Sequence, residues 1–355
     1  MDDQPENSAR QDSSKHLNPK LRHRQARALE SQDYLAGIRT GDRSLLSRAI
    51  TLVESTLPAH RELAEQIIEA CLQLPPADAI RIGITGPPGV GKSTFIDSFG
   101  QYLLKQGRRP AVLAIDPSSS ISGGSILGDK TRMENLSRDP RVFIRPSPSG
   151  ESLGGVAQRT RESILLCETA GFDTIIVETV GVGQSETTVR ALVDFFLLLL
   201  QPGAGDELQG IKRGIVEMAD LLAVNKSDGT AADGARTTQR AYQNAVHLLA
   251  PQTSGWPVKV VRCSALRQEG LVEIWQLITD FRTFTQGNGF WLKNRREQSR
   301  HWLHHSLKDH LQQLFYQHPA VVREIPQLEE AVSSGRLSPF RAAQTLIRLF
   351  IELNK

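Results

Sequence analysis

The sequence predicts a doubly wound α/β fold, a mainly parallel sheet flanked by helical extensions at both ends. Three observations predict it. Between about residues 79 and 287, short β-branched apolar runs alternate with helix-length segments. Most of those runs lack polar alternation, as strands buried on both faces do. Segments 31–78 and 288–355 carry apolar residues at helical spacing.

Residues 1–30 are polar, with few apolar side chains, and read as a flexible tail. In 31–78, Tyr34, Leu35 and Ile38 share a helical face, Gly41-Asp42 breaks it, and Asp42 is the expected cap of the next helix. That helix carries Leu45, Leu46, Ala49, Ile50 and Val53; a third carries Leu63, Ile67, Cys71 and Leu74 before Pro75-Pro76. Expected strands are Ile80–Thr85, Ala111–Ile115, Val142–Ile144, Thr174–Glu178, Phe195–Leu200, Leu221–Asn225 and Val258–Arg262. Helices are expected at Ser93–Gln106, Gly155–Thr169, Ala235–Leu249 and Leu271–Phe284. In 288–355, Ser338-Pro339 reads as a cap with proline at the first helical position. The stripe Phe340, Ala343, Leu346, Ile347 and Phe350 follows, to be buried on the core or on a second subunit.

A chain of 355 residues has room for about two domains and a core that needs no disulfide. A net charge of +3 lacks the dense basic surplus of a general nucleic-acid binder. Cys71, Cys167 and Cys263 form no CxxC pair and read as reduced, buried thiols. No apolar run is long enough to span a membrane. Asp2, Asp3 and Glu6 argue against a transit peptide, so a cytoplasmic protein is expected.

Gly86-Pro87-Pro88-Gly89-Val90-Gly91-Lys92-Ser93 matches GxxxxGK[ST] between an expected strand and helix, the context that a phosphate-binding loop requires. Glycines let backbone N–H groups turn toward phosphates, and the helix N-terminus adds partial positive charge. The expected phosphate-loop contacts are Gly86, Pro87, Gly89, Val90, Gly91, Lys92, Ser93 and Thr94. Lys92 is suited to the β- and γ-phosphates and Ser93 to Mg²⁺.

Asn225-Lys226-Ser227-Asp228 ends a strand and matches NKxD. The Asp228 carboxylate can accept from guanine N1–H and its exocyclic amine, a donor pair that adenine lacks. The Lys226 stem can lie along the base, and Asn225 can hold neighbouring loops. Ser264, Ala265 and Leu266 follow the last expected strand, where a backbone contact to the guanine oxygen belongs.

Glu178 ends a buried strand and faces the ligand crevice, where it can hold Mg²⁺ or polarise the attacking water. Gly181 can sense a γ-phosphate through its N–H. Gln184 does not directly follow that glycine, which leaves its water-positioning role open and points to slow basal hydrolysis aided by a partner. Asp116 and Asp129 bound a Ser/Gly-rich loop and are further expected oxygen ligands of Mg²⁺.

Together these residues resemble the MeaB-type family, GTPase chaperones of methylmalonyl-CoA mutase. That family sits within the P-loop GTPases named for a glutamate in their third G motif. The resemblance rests on Gly86–Thr94, Asp116–Lys130, Glu178–Gln184, Asn225–Asp228, Ala49–Ser55 and, above all, Gln201–Gly214. It covers residues 31–355. It implies a GTPase domain at 79–287, an N-terminal helical segment at 31–78 and a C-terminal segment at 288–355 that helps form a homodimer. It further implies Mg²⁺-dependent GTP hydrolysis in the service of an adenosylcobalamin-dependent acyl-CoA mutase. The cycle would gate cofactor loading from a cobalamin adenosyltransferase and protect or reactivate the mutase, with the corrinoid on the partner. Lys212, in the additional switch, becomes a candidate catalytic residue beside Lys92, Glu178 and Gln184.

Two enzymatic alternatives remain at this point. A nickel-type metallochaperone would use His301 and His305, one helical turn apart. A small-molecule kinase would share the phosphate loop, although NKSD favours guanine. A nucleotide-gated scaffold is the non-enzymatic alternative.

Overall fold

A computed structural model of the chain describes residues 29–115, 133–146, 153–179, 185–203 and 213–353. Three helices come first: α1 (Ser31–Arg39), α2 (Arg43–Glu54) and α3 (Pro58–Leu72). Asp42 caps α2 as expected, accepting from the Ser44 and Leu45 N–H groups at 2.8 and 3.1 Å.

The alternating region then runs β1 (Ile80–Thr85), α4 (Lys92–Lys105), β2 (Pro110–Ile115), α5 (Glu134–Ser137), β3 (Phe143–Arg145) and α6 (Leu153–Thr169). It continues β4 (Thr174–Thr179), α7 (Ser185–Arg190), β5 (Phe195–Leu200), α8 (Arg213–Met218) and β6 (Leu221–Val224). α9 (Ala232–His247), β7 (Lys259–Arg262) and α10 (Leu271–Gly287) complete it. The C-terminal helices are α11 (Phe290–Gln317), α12 (Pro319–Ser333) and α13 (Pro339–Leu353). Every expected strand is present. β6 stops one residue short of the expectation; the next residue, Asn225, still donates its backbone N–H to Leu200 O of β5 at 2.9 Å while its side chain serves the loops around it.

The described strands form one parallel sheet in the order β3-β2-β4-β1-β5-β6-β7. β1 lies between β4 and β5, so the loop after β1 emerges mid-sheet beside Glu178. Ligands of open α/β sheets bind in such a crevice at the carboxyl ends of the strands. β5 shows why these runs do not alternate with polar residues. Phe196, Leu198 and Leu200 enter a core that includes α1, α2, α3 and α6, whereas Phe195, Leu197 and Leu199 enter a second core with α4 and α10.

At the opposite strand ends, one face of α11 grips the connector between α7 and β5. Arg295 donates to both oxygens of Asp194 at 2.9 and 2.7 Å. Gln298 Nε2 donates to the Val193 carbonyl at 2.7 Å, and Trp302 Nε1 to that of Ala191 at 3.2 Å. Nearby, fully buried Asp220 accepts from the Phe196 N–H at 2.8 Å and pairs with Arg190 at 3.1 Å.

Burial pushes the Asp220 carboxyl up to about 6, with Arg190 opposing the shift. The folded state therefore holds this proton to higher pH than the unfolded chain. Its stabilising contribution is full below about pH 4 and is lost as pH rises through about 6. Denaturant titrations of wild type and Asp220→Asn across that range should show the wild type losing relative stability, by up to about 1.4 kcal/mol per pH unit. A flat difference would contradict the assignment.

The apolar stripe of α13 divides. Phe350 packs on Phe315 and His318, but Phe340 and Ile347 remain exposed, as do Leu303, Leu307, Leu311 and Leu314 of α11. No described helix is long and apolar enough to cross a membrane.

Candidate functional site

The loop 86–91 owes its shape to glycine at positions where a side chain would fail. At Gly86 (φ +155°) a Cβ would lie 2.6 Å from the Leu199 carbonyl oxygen. Gly91 (φ +91°) starts α4 in a left-handed conformation and leaves its first turn without a side-chain cap. Those N–H groups, with the positive end of a 14-residue helix, form a cradle for phosphate oxygens. Val90 is fully buried and anchors the loop.

Lys92 is nearly buried, and its Nζ donates to the Gly86 and Pro87 carbonyls at 2.8 and 3.3 Å. Burial pulls this ammonium below its usual range, while the carboxylates of Glu178 and Glu186 hold it up. Both carboxylates are themselves buried, Glu178 at the end of β4 and Glu186 in α7. Ser93 is half-exposed, its hydroxyl making no hydrogen bond among the described residues, and Thr94 is exposed. Ser93 and Glu178 offer only hard oxygen donors, which suits Mg²⁺.

Asn225 ties the site together. Its Nδ2 donates to Val90 O at 2.9 Å, and its Oδ1 accepts from the Ala265 N–H at 3.0 Å. One fully buried amide thus joins the phosphate loop to the loop carrying Ser264, Ala265 and Leu266. Lys226 adopts φ +56°, a conformation uncommon for a residue with a side chain, and its Nζ reaches Gly89 O at 2.6 Å. The aliphatic stem therefore lies across the mouth between the phosphate and base loops.

Asp228 accepts from Ser264 Oγ at 2.7 Å and faces Arg267 at 3.5 Å. The Ser264 bond, reinforced by Arg267, holds the carboxyl below its usual range, so it is an anionic acceptor at neutral pH. Leu266 is 80% exposed at the rim, and paired Ser264–Glu269 backbone bonds close the small loop that carries it.

The structure thus gathers Gly86, Pro87, Gly89, Val90, Gly91, Lys92, Ser93, Thr94, Glu178, Asn225, Lys226, Asp228, Ser264, Ala265 and Leu266 along one end of the sheet. Asp116, Asp129, Gly181, Gln184 and Lys212 lie outside the described residues. Sequence reasoning missed two contributors. Glu186 was signalled only by being an acid just beyond Gln184. Gln201, whose Nε2 donates to Pro88 O at 3.1 Å, ties the start of the additional switch to the phosphate loop. His305 pairs with Asp309 at 3.1 Å, and among the described residues no group of three or more His, Cys, Asp or Glu is placed to hold a metal.

The model of the family described as methylmalonyl Co-A mutase-associated GTPase MeaB matches residues 46–320. The chain belongs to this family. It is a P-loop GTPase, as the sequence resemblance indicated. The mouse protein named methylmalonic aciduria type A homolog, mitochondrial, is 47% identical over 323 residues, 88% of this chain and 78% of the mouse protein. GTPase ArgK of Escherichia coli K12 is 45% identical over 302 residues, 85% of this chain and 91% of its own. A crystal structure of LAO/AO transport system kinase matches with a TM-score of 0.70 at 37% identity, over 90% of this chain and 97% of that one.

Proposed function

We propose that this MeaB-family chain hydrolyses GTP to GDP and phosphate with Mg²⁺, and that the cycle serves an adenosylcobalamin-dependent acyl-CoA mutase. The observation that carries the nucleotide reading is the Asn225 bridge, which sets a phosphate cradle and a guanine-accepting carboxylate on one rigid frame. In this reading the N–H groups of 86–94 and Lys92 bind the phosphates, and Asp228 selects the base. Ala265 and Leu266 border the guanine, and Gly181 senses the γ-phosphate. The chemistry that bound Mg²⁺ would supply is neutralisation of charge on the β- and γ-phosphates. Ser93 and Glu178 would hold it, joined by Asp116 and Asp129. Glu178 also orients the attacking water, Gln184 assists, and slow basal turnover is raised when the partner acts on Lys212.

The mutase assignment rests on the family's description and on the mouse relative's name. Gating of cofactor loading from a cobalamin adenosyltransferase, protection of the mutase and the corrinoid's place on the partner extend that reading. Cys71, Cys167 and Cys263 are free and buried, which suits a reducing compartment, and we retain a cytoplasmic setting for this chain.

The test is GTP turnover with and without the purified mutase, with ATP in parallel. Stimulation of GTP turnover alone is the expected result. Turnover indifferent to the mutase would remove the partner assignment while leaving the GTPase intact.

The homodimer reading draws on the exposed face of Leu303, Leu307, Leu311 and Leu314, which share one side of α11 at spacings of three and four residues. Phe340, Ile347 and Ile351 of α13 are also exposed, and α13 touches α11 through Phe350 on Phe315, so a second copy would cover both sets. Light scattering after size exclusion should show a dimer for wild type and a monomer for Leu307→Glu/Leu311→Glu. An unchanged dimer would exclude this face.

A further inference from the structure

A cavity of about 490 Å³ lies where α3, α6 and α11 meet beneath the sheet. It sits by the N-terminal end of β1, whereas the phosphate loop leaves the other end, roughly 16 Å away along a strand of this length. No described residue assigned to the nucleotide lines it. Its volume is that of a small-molecule site.

Four guanidinium-bearing side chains line this cavity: Arg39, Arg81, Arg161 and Arg295. Two are already matched. Arg81 donates to both oxygens of Glu168 at 2.7 and 2.9 Å, and Arg295 is held by Asp194. Arg39 is exposed at the rim. Arg161 differs from all three. It is half-buried and, among the described residues, makes no hydrogen bond or ion pair.

Burial, and then the like charge of Arg81, pull the Arg161 guanidinium below its usual range, with only Glu162 opposing. Glu162 also lines the cavity, but its carboxylate accepts from Gln158 Nε2 at 3.4 Å and makes no hydrogen bond with Arg161 among the described residues. A partly desolvated cation with no acceptor is costly to keep, and guanidinium geometry matches a carboxylate bidentately. The rest of the wall is mixed: Ile68, Leu165, Leu192 and Trp302 supply an apolar side, and Glu162, Glu168 and Gln298 a polar one, with Glu168 already taken by Arg81.

The geometry points to a binding site in this cavity for a small organic carboxylate with an apolar body, its charge on Arg161 and its body against Trp302 and Leu165. Such a ligand is an effector rather than a substrate, since it sits away from the nucleotide. It would bridge the N-terminal helices, the sheet domain and α11, beside the connector that follows α7.

The experiment is calorimetry on the full-length, GDP-saturated protein with straight-chain carboxylates from butyrate to octanoate. The corresponding alcohols and inorganic phosphate serve as controls. The expected result is saturable binding of at least one acid below about 1 mM, with its alcohol at least about tenfold weaker. Arg161→Gln should weaken that acid by at least about tenfold. Without ligand this variant should melt no lower than wild type, whereas a purely structural arginine would leave it less stable. If Arg161→Gln fails to bind GDP, Leu72→Trp at the cavity mouth replaces it and should block the acid equally. No saturable acid binding, equal binding to the working variant, or phosphate binding as tightly as the best acid would each overturn the proposal.

Discussion

Asp228→Asn lowers the affinity for GTP by about 100- to 1000-fold and creates a measurable affinity for XTP. The wild-type carboxylate is anionic and pre-aimed, since Ser264 Oγ and Arg267 hold it and lower its proton affinity. It can accept from N1–H and the exocyclic amine of guanine together. An asparagine amide offers one oxygen and sets its NH₂ against the guanine amine, leaving a donor facing a donor. Xanthine carries an oxygen at that ring position, which the amide can satisfy. Titration with fluorescent GDP and XDP analogues reads both effects. Unchanged GDP affinity would mean that the base lies elsewhere and would withdraw the guanine assignment. The fold should survive, because Asp228 is partly exposed and the main inter-loop bonds run through Asn225.

Glu178→Gln reduces kcat for GTP by about 100- to 1000-fold while GDP affinity changes little. The substitution keeps the shape of the side chain at the end of β4, removes its charge and turns one acceptor oxygen into a donor. Glu178 is nearly buried, lies beside the phosphate loop, and its field reaches Lys92. A charge there acts in a low-dielectric setting, where its loss is felt more strongly than in water. Single-turnover hydrolysis with saturating enzyme isolates the chemical step. A kcat within about threefold of wild type would show that Glu178 is structural and would shift attention to Asp116 and Asp129. A loss of GDP affinity as large as the loss of kcat would instead show that the carboxylate organises the cradle.

Much of this site was legible in the sequence for a local reason. A phosphate cradle is built from consecutive backbone N–H groups, so its glycines, Lys92 and Ser93 must be contiguous. The guanine acceptor likewise sits at a fixed offset from Asn225 within one tetrapeptide. The strands were legible too, because β1, β4 and β5 are apolar on both faces and so stand out from the helices between them. Helix ends moved further, as at α9 and α10, since exposed terminal turns carry little apolar patterning.

What the sequence alone determined is therefore the chemistry carried by adjacent residues: phosphate, guanine and an acid at a strand end. The tertiary structure decided everything that depends on which strands are neighbours. Only the placement of β1 between β4 and β5 brings Glu178 and Glu186 to Lys92. Only the loop packing lets Asn225 reach Val90, 135 residues earlier, and Ala265, 40 residues later. The unmatched charge of Arg161 and the open face of α11 are equally invisible in one dimension. Whether a charged or apolar side chain is satisfied depends on neighbours supplied from distant segments, and pattern along a chain does not encode that distance.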